Sequence, residues 1–470
     1  MQIHEMSLID LAAELRSGGL APREAVDHFL DRIARHDAGL GAFAEVTADR
    51  ARRAADALAA PAEDAPPLWG VPLADKDLTA RAGVPTRYGS RAFAHHVPDR
   101  SDPLAVAVDE AGAVSLGKTS TPEFGLTGFT EPFAGPIARS PWDPSTGAGG
   151  SSGGAAAAVA AGLLPAAPAS DGGGSIRIPA ATVGVVGLKP SRGRIPFQAP
   201  AGLGVSGPIA RGVADAALLL DALIGTAPRS FATGAPGGGP FLDAARREPG
   251  RLRIGATTAT VWDGWTDTTL DPGAREAYDR AIAMLEGAGH VVEDAPWRPE
   301  GYPEMFVTLW RASAARIPLT EEQLDRDAEP LTAWLVREGR ALSAADVLGA
   351  QDAALAFERA TIEAFAPFDA VLTPALALAP RPIGWHAADD PERCFEQQCR
   401  YAPHTSFVNV SGLPAISLPL DAERGRRPWS VQLVGRPGGE ATILALAAQL
   451  EAERGALARP ELATGATRQI

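Results

Sequence analysis

Two glycine-serine segments and one lysine carry the residue types that acyl-transfer chemistry needs. The first segment, GGSSGG at residues 149–154, holds Ser151 in a G-x-S-x-G pattern. A nucleophile elbow needs a strand directly before it, and PWDPSTGA offers prolines and turn formers instead. Ser151 as the nucleophile of a Ser-His pair is therefore disfavoured. None of the eight histidines lies near these motifs in sequence, although His404 could approach in space. The second segment, ASDGGGSIRIPA at residues 169–180, sets three glycines before Ser175. Such a run turns the chain sharply and can aim the N–H groups of Gly172, Gly173, Gly174 and Ser175 at one point, which is how an oxyanion hole is built. Ser175 then reads either as the N-cap of the next helix, worth about 1 kcal/mol, or as a nucleophile.

A serine without a histidine needs another base. Of 43 basic residues only Lys76, Lys118 and Lys189 are lysines. Arginine keeps its proton in proteins whereas a desolvated lysine can release it, so a retained lysine is a candidate base. In GVPLADKDL, residues 70–78, a strand would place Lys76 on one face and Asp75 and Asp77 on the other, so the lysine escapes its flanking carboxylates. A free lysine titrates near ~10.4, so one that is mostly neutral at pH 7 gives up about 4 kcal/mol of preference for its charged form. Burial has to supply that difference. A lysine of this kind serves serine in Ser-Lys variants of the triad.

A competing motif is GAVSLGKT, residues 112–119, which fits the phosphate-binding pattern G-x-x-x-x-G-K-[ST] at every fixed position. That pattern works only where a strand ends before the first glycine and a helix follows the last residue. Here DPLAVAVDEAG reads as a helix stopped at Gly112, Ala113 to Leu116 suit a strand, and Pro122 would cut short the helix that phosphate needs. A P-loop nucleotide-binding protein is thus the disfavoured alternative.

The elements that must position these residues alternate between helical and strand-like periodicity. Residues 7–36 read as two amphipathic helices split by Gly18 and Gly19, and further helices are expected at 47–60, 154–162, 211–224, 273–288, 343–366 and 440–453. VGVVGL, HVVEDA, AVLTPA, AISLPL and WSVQLVG read as interior strands. The alternation predicts an α/β fold, a mixed twisted sheet covered by helices on both faces. One domain over residues 1–470 is expected, with its core at about 65–225 and 365–455 and a helical substrate cap at about 300–365. Residues 227–240 read as a loop. Trp310, Trp334 and Phe124 are candidates to line an apolar pocket, although aromatic residues more often fill cores.

Composition removes other classes. The net charge of −14 comes without a local cluster of Lys or Arg, which argues against a nucleic-acid surface. Pro144 to Ser170 carries no charge, yet its glycine-rich start leaves an apolar part shorter than the ~20 residues a membrane span requires. Cys394 and Cys399 are five apart, a spacing that suits neither a metal site nor a disulfide framework, and both read as reduced packing residues. No metal or cofactor is expected. MQIHEM shows no secretory signal, so a cytoplasmic location is the expectation.

In order, GVPLADKD, GKTSTPEFG, PWDPSTGAGGSSGGAAAAVAAG, SDGGGSIRIPA, GLKPSRGRIP and SGPIARGVADAALLLDAL resemble the amidase signature family, and FDAVLTPA, NVSGLPAISLPL and QLVGRPGGEATILALA resemble its C-terminal segments. The resemblance spans about residues 5–455. It implies a Ser-cisSer-Lys triad with Ser175 as nucleophile, Ser151 as bridging serine after a cis peptide, and Lys76 as base. The implied reaction is cleavage of a carboxylic amide through an acyl-enzyme, extending to carbamates or esters. Asp171 and Arg177 are expected to hold the glycine loop, the alternative being an ordinary surface pair. Where family members often carry Thr-Asp and a branched residue, this chain has Ser170-Asp171-Gly172. That departure resembles the branch containing aminohexanoate cyclic dimer hydrolases and related bacterial amidases, and Gly172 removes a side chain beside the expected acyl pocket, which either admits a bulkier substrate or loosens the loop. The implied partner is a small-molecule amide or carbamate, acted on by a monomer or homodimer without nucleic acid or membrane. The rival within the resemblance is a glutamyl-tRNA amidotransferase A-type subunit working with partner subunits.

Overall fold

The computed structural model describes residues 2–195, 202–224, 234–420 and 429–462. Its described residues form eleven strands in two sheets. The smaller sheet joins β1 (Phe43–Val46), β2 (Pro72–Lys76) and β3 (Val114–Thr119) in the order β1-β3-β2, with β2 parallel to β3. The larger contains β4 (Ala166–Asp171), β5 (Val186–Lys189), β6 (Val205–Ala210), β7 (Arg253–Ala256), β8 (Val291–Asp294), β9 (Ala370–Pro374), β10 (Ala415–Pro419) and β11 (Ser430–Gly435). Their order is β4-β6-β5-β10-β11-β9-β7-β8, antiparallel as far as β9 and parallel among β9, β7 and β8. The fold is α/β and mixed, as the alternation of periods predicts, but it holds two sheets where one was expected.

Sequence cues account for most boundaries. Ser7 caps the helix Leu8–Ser17 by accepting from the Asp10 N–H, and Gly18, at φ +76°, ends it. Pro22 then opens the helix Pro22–Leu40. The uncharged stretch resolves into the wholly buried helix Gly153–Ala160 followed by β4. No helix among the described residues is long and apolar enough to cross a membrane. HVVEDA departs from expectation. It forms β8 at the sheet edge, with its residues only half covered, because β7 is its sole strand neighbour. VGVVGL is split, since Val183 closes the helix Arg177–Val183, Gly184 caps it, and the strand starts at Val186. The 227–240 loop lies partly outside the described residues.

GAVSLGKT is a strand. β3 runs through Gly117, Lys118 and Thr119, further than the four residues expected, and all three are buried. Gly117 has φ +146°, and a Cβ there would stand 2.1 Å from the Glu45 carbonyl oxygen of β1. Its glycine therefore serves sheet packing. Lys118 Nζ donates to Thr79 O at 2.6 Å and Thr86 Oγ1 at 2.9 Å and lies 3.4 Å from Asp77 Oδ1, so it is committed inside the protein.

Two large apolar clusters, with a smaller third around residues 375–378 and Tyr401, fill the interior of the described residues. One unites the N-terminal helices, the small sheet and most of the large one. The other is aromatic and gathers around the helices Tyr302–Ala314, Pro330–Arg340 and Ala344–Phe365. The site described next lies where they meet.

Candidate functional site

β2 ends at Lys76 and packs beside β4, which ends at Asp171. Lys76 is 1% exposed, and its Nζ donates to Ser151 Oγ at 2.7 Å and Ser170 Oγ at 3.2 Å. Its neighbours face away, with Asp75 bonded to Arg81 at 2.6 Å and Asp77 to the Arg87 N–H at 3.2 Å. Burial pushes Lys76 down to about 7, opposed by the negative charge of Asp171. Ser151 follows a cis Gly150–Ser151 peptide and precedes the helix Gly153–Ala160. Gly150 passes so close to Phe129 that a Cβ would meet its backbone at 2.6 Å.

After β4 the chain turns through Gly172, Gly173 and Gly174 into Ser175. Gly174 has φ +131°, and a Cβ on it would reach 2.4 Å from Thr405 Oγ1. No other residue type fits there. The turn is fixed from beneath by Asp171, whose carboxylate accepts from the Gly174 N–H at 2.7 Å and the Ile176 N–H at 3.1 Å. One expectation changes with this arrangement. Gly174 was counted among the oxyanion donors, but its N–H is taken by Asp171, which leaves Gly172, Gly173 and Ser175 with N–H groups that have no acceptor among the described residues. Ser175 does not cap a helix with its side chain; the N-cap position of Arg177–Val183 is Ile176.

Asp171 and Arg177 are both fully buried, which removes the surface-pair reading. Arg177 directs two donors at Asp171, both at 3.0 Å, and the others at Thr405 O, Gln432 Oε1 and Asn409 Oδ1 at 2.9, 2.7 and 2.7 Å. All five guanidinium N–H groups are thereby used. Burial alone would raise Asp171, but the Arg177 guanidinium overcomes it and holds the carboxyl well below the usual range. Asn409 and Gln432 were not legible as support residues, because they arrive from segments more than 230 positions away. Ser170 carried a weak signal as the position where family members often have Thr.

Ser175 lines two adjacent pockets, or lobes, whose walls share Gly125, Leu126 and Trp310. One, of about 310 Å³, is also lined by Ser151, Ser170, Asp171, Gly172 and Phe124. The other, of about 70 Å³, is walled by Trp262, Phe306, Phe395 and Ile178, and Trp310 stands between them. A Cβ on Gly172 would lie 3.5 Å from the Trp310 ring, so the glycine sits directly beside this wall. Trp334, by contrast, lines neither lobe and packs under Arg311 at 4.7 Å. His404 does not reach the serines; its ring faces Thr258 O at 3.2 Å, and burial pushes it down to about 4. Cys394 and Cys399 are buried free thiols. No cluster of metal-ligating side chains occurs among the described residues.

Known proteins resemble the chain over nearly its whole length. The family model described as Amidase matches residues 24–444. "Putative amidase AmiB2" of Mycobacterium tuberculosis is 39% identical over 461 residues, covering 94% of this chain and 95% of that protein. The structure of 6-aminohexanoate cyclic dimer hydrolase complexed with substrate aligns with a TM-score of 0.88 at 30% identity, covering 98% and 99% of the two chains. The A-type subunit of glutamyl-tRNA(Gln) amidotransferase from Synechococcus sp. is 36% identical over 494 residues, covering 97% and 99%.

Proposed function

We propose, on the premise that this chain belongs to the Amidase family and is a hydrolase of amide bonds, that Ser175 is its nucleophile, Ser151 its proton relay and Lys76 its base. The observation that carries this reading is the 2.7 Å bond between Lys76 and Ser151 in a site where burial holds the lysine near 7. Neutral Lys76 takes the Ser151 proton as Ser151 takes that of Ser175. The Ser175 Oγ–carbon bond forms, and the carbonyl electron pair moves onto oxygen, facing the free N–H groups of Gly172, Gly173 and Ser175. When the tetrahedral species collapses, the C–N bond breaks and the nitrogen recovers a proton through Ser151. Water, deprotonated along the same relay, then releases the acid. Asp171 and Arg177 hold the glycine loop in place for both steps. The helices between Tyr302 and Phe365 act as the cap through Trp310, within one amidase domain. The same chemistry extends to carbamates and esters.

A fluorophosphonate probe followed by peptide mapping tests the assignment. One adduct on Ser175, suppressed in Lys76→Ala, is expected; an adduct on Ser151 alone overturns it. The likeness to an amidotransferase component favours a second reading, in which the chain works only in a complex. Hydrolysis of simple amides by the purified single chain counts against that reading.

A further inference from the structure

The two lobes differ in what they share with the proton relay. The 310 Å³ lobe contains Ser151, whereas the 70 Å³ lobe contains Ser175 but neither Ser151 nor Ser170. Resting on the roles given above for Ser175 and Ser151, we infer that the leaving amine occupies the large lobe and the acyl group the small one, so that the substrate is an uncharged short-chain acyl amide of a bulky apolar amine. The departing nitrogen must take its proton from Ser151, which fixes it on the Ser151 side. The acyl group, bonded to the same carbon, then points to the opposite side of Ser175.

Size sets the acyl limit. An apolar cavity of about 150 Å³ admits benzene, so the small lobe, at about 70 Å³, suits a few carbons better than an aromatic ring. The large lobe, at about 310 Å³, has room for a ring on nitrogen. Charge sets a second limit. Among the described residues no ionisable acid or base of the Asp, Glu, Lys, Arg or His type lines the small lobe, and the only one lining the large lobe is Asp171, already saturated by Arg177, Asn409 and two backbone N–H groups. A substrate carboxylate or ammonium held against these walls meets no free counter-ion among the described residues, which weighs against its binding. Free glutamine, which carries both charges, is disfavoured on this ground.

The test is a set of 4-nitroanilides with acetyl, butyryl, benzoyl and succinyl groups, together with glutamine, assayed on the full chain. Acetyl and butyryl compounds are expected to exceed benzoyl by at least tenfold in kcat/KM, with succinyl and glutamine lower again. Ile178→Ala, which widens the small lobe, should shrink the acetyl-to-benzoyl ratio. Ser313→Trp, which fills the large lobe, should slow every anilide while leaving that ratio unchanged. If either variant fails to fold, the wild-type ratios decide alone. Benzoyl preferred over acetyl, or glutamine or succinyl turned over as fast as acetyl, overturns the inference. Fluorophosphonate labelling of the same preparation separates the failures. An adduct on Ser175 with the wrong preference, or with no turnover of any compound, sinks the lobe assignment and leaves the catalytic reading standing; absence of both adduct and turnover sinks both.

Discussion

Lys76 and Lys118 stand on neighbouring parallel strands of the same small sheet, both essentially unexposed, yet their surroundings differ in kind. Lys118 faces a carboxylate and a backbone carbonyl as well as the Thr86 hydroxyl, whereas Lys76 meets two serine hydroxyls and no carboxylate. Burial draws both amines down. Asp77 opposes the change at Lys118 from 3.4 Å, and no acid accepts from Lys76. On the proposed assignment, what sets Lys76 apart is the lack of an ion-pair partner, together with a hydroxyl placed to pass its proton on to Ser175.

The largest expected effect tests the Lys76 side of this contrast. Lys76→Met should lower kcat by about 10²–10⁴-fold, the range for a general base, while changing the melting temperature little, since burial has already drawn the amine down to about 7 and its replacement is an apolar chain. A wild-type rate in a folded variant removes the base assignment. Lys118→Met should do the reverse. It strands Asp77, 1% exposed, without its cation, and the loss of one partner of a buried pair costs about 3–5 kcal/mol in thermal or denaturant unfolding. The folded fraction should keep its kcat within a few-fold.

The pattern of residues made this pair legible only in part. The alternation of DKD predicted that Lys76 would avoid its neighbouring acids, and the glycine run before Ser175 predicted the turn. GAVSLGKT likewise disclosed a strand, because its flanking helix and Pro122 are local signals. What stayed hidden depends on contacts between distant segments. The Gly174 N–H could not be assigned to Asp171 without the turn geometry, and Trp334 looked as suitable for a pocket as Trp310 until the helix carrying it turned its ring towards Arg311. HVVEDA opens with the same kind of short apolar run as the interior strands, and only sheet order places β8 at the edge.

The pH profile sharpens the comparison further. The proposed relay needs Lys76 neutral, so it predicts that kcat/KM falls tenfold per pH unit below about 7 and levels off above it. Lys189 complicates this assignment because burial, reinforced by the Arg177 charge, draws it to about 7 as well. Its Nζ donates to the Pro190 carbonyl at 2.9 Å, and no hydroxyl among the described residues accepts from it. Lys189→Met and Lys118→Met should therefore keep the limb where it is. A limb that disappears in Lys189→Met would transfer the titration to that lysine.

The smallest effect concerns the second hydroxyl on Lys76. Ser170 Oγ, at 3.2 Å, orients the amine towards Ser151 without lying between it and Ser175 in the proposed relay. Ser170→Ala removes one hydrogen bond, worth about 1 kcal/mol, and should cost about fivefold in kcat. Ser170→Thr keeps the hydroxyl and should restore most of that loss, which a purely steric role for the side chain would not produce. The variant also bears on the pH limb. An amine that has lost its acceptor is less able to hold a proton, so the midpoint should move slightly below that of the wild type. A midpoint that rises instead would mean that Ser170 acts chiefly by donating to the neutral amine, and the two hydroxyls would then have opposite roles at the same nitrogen.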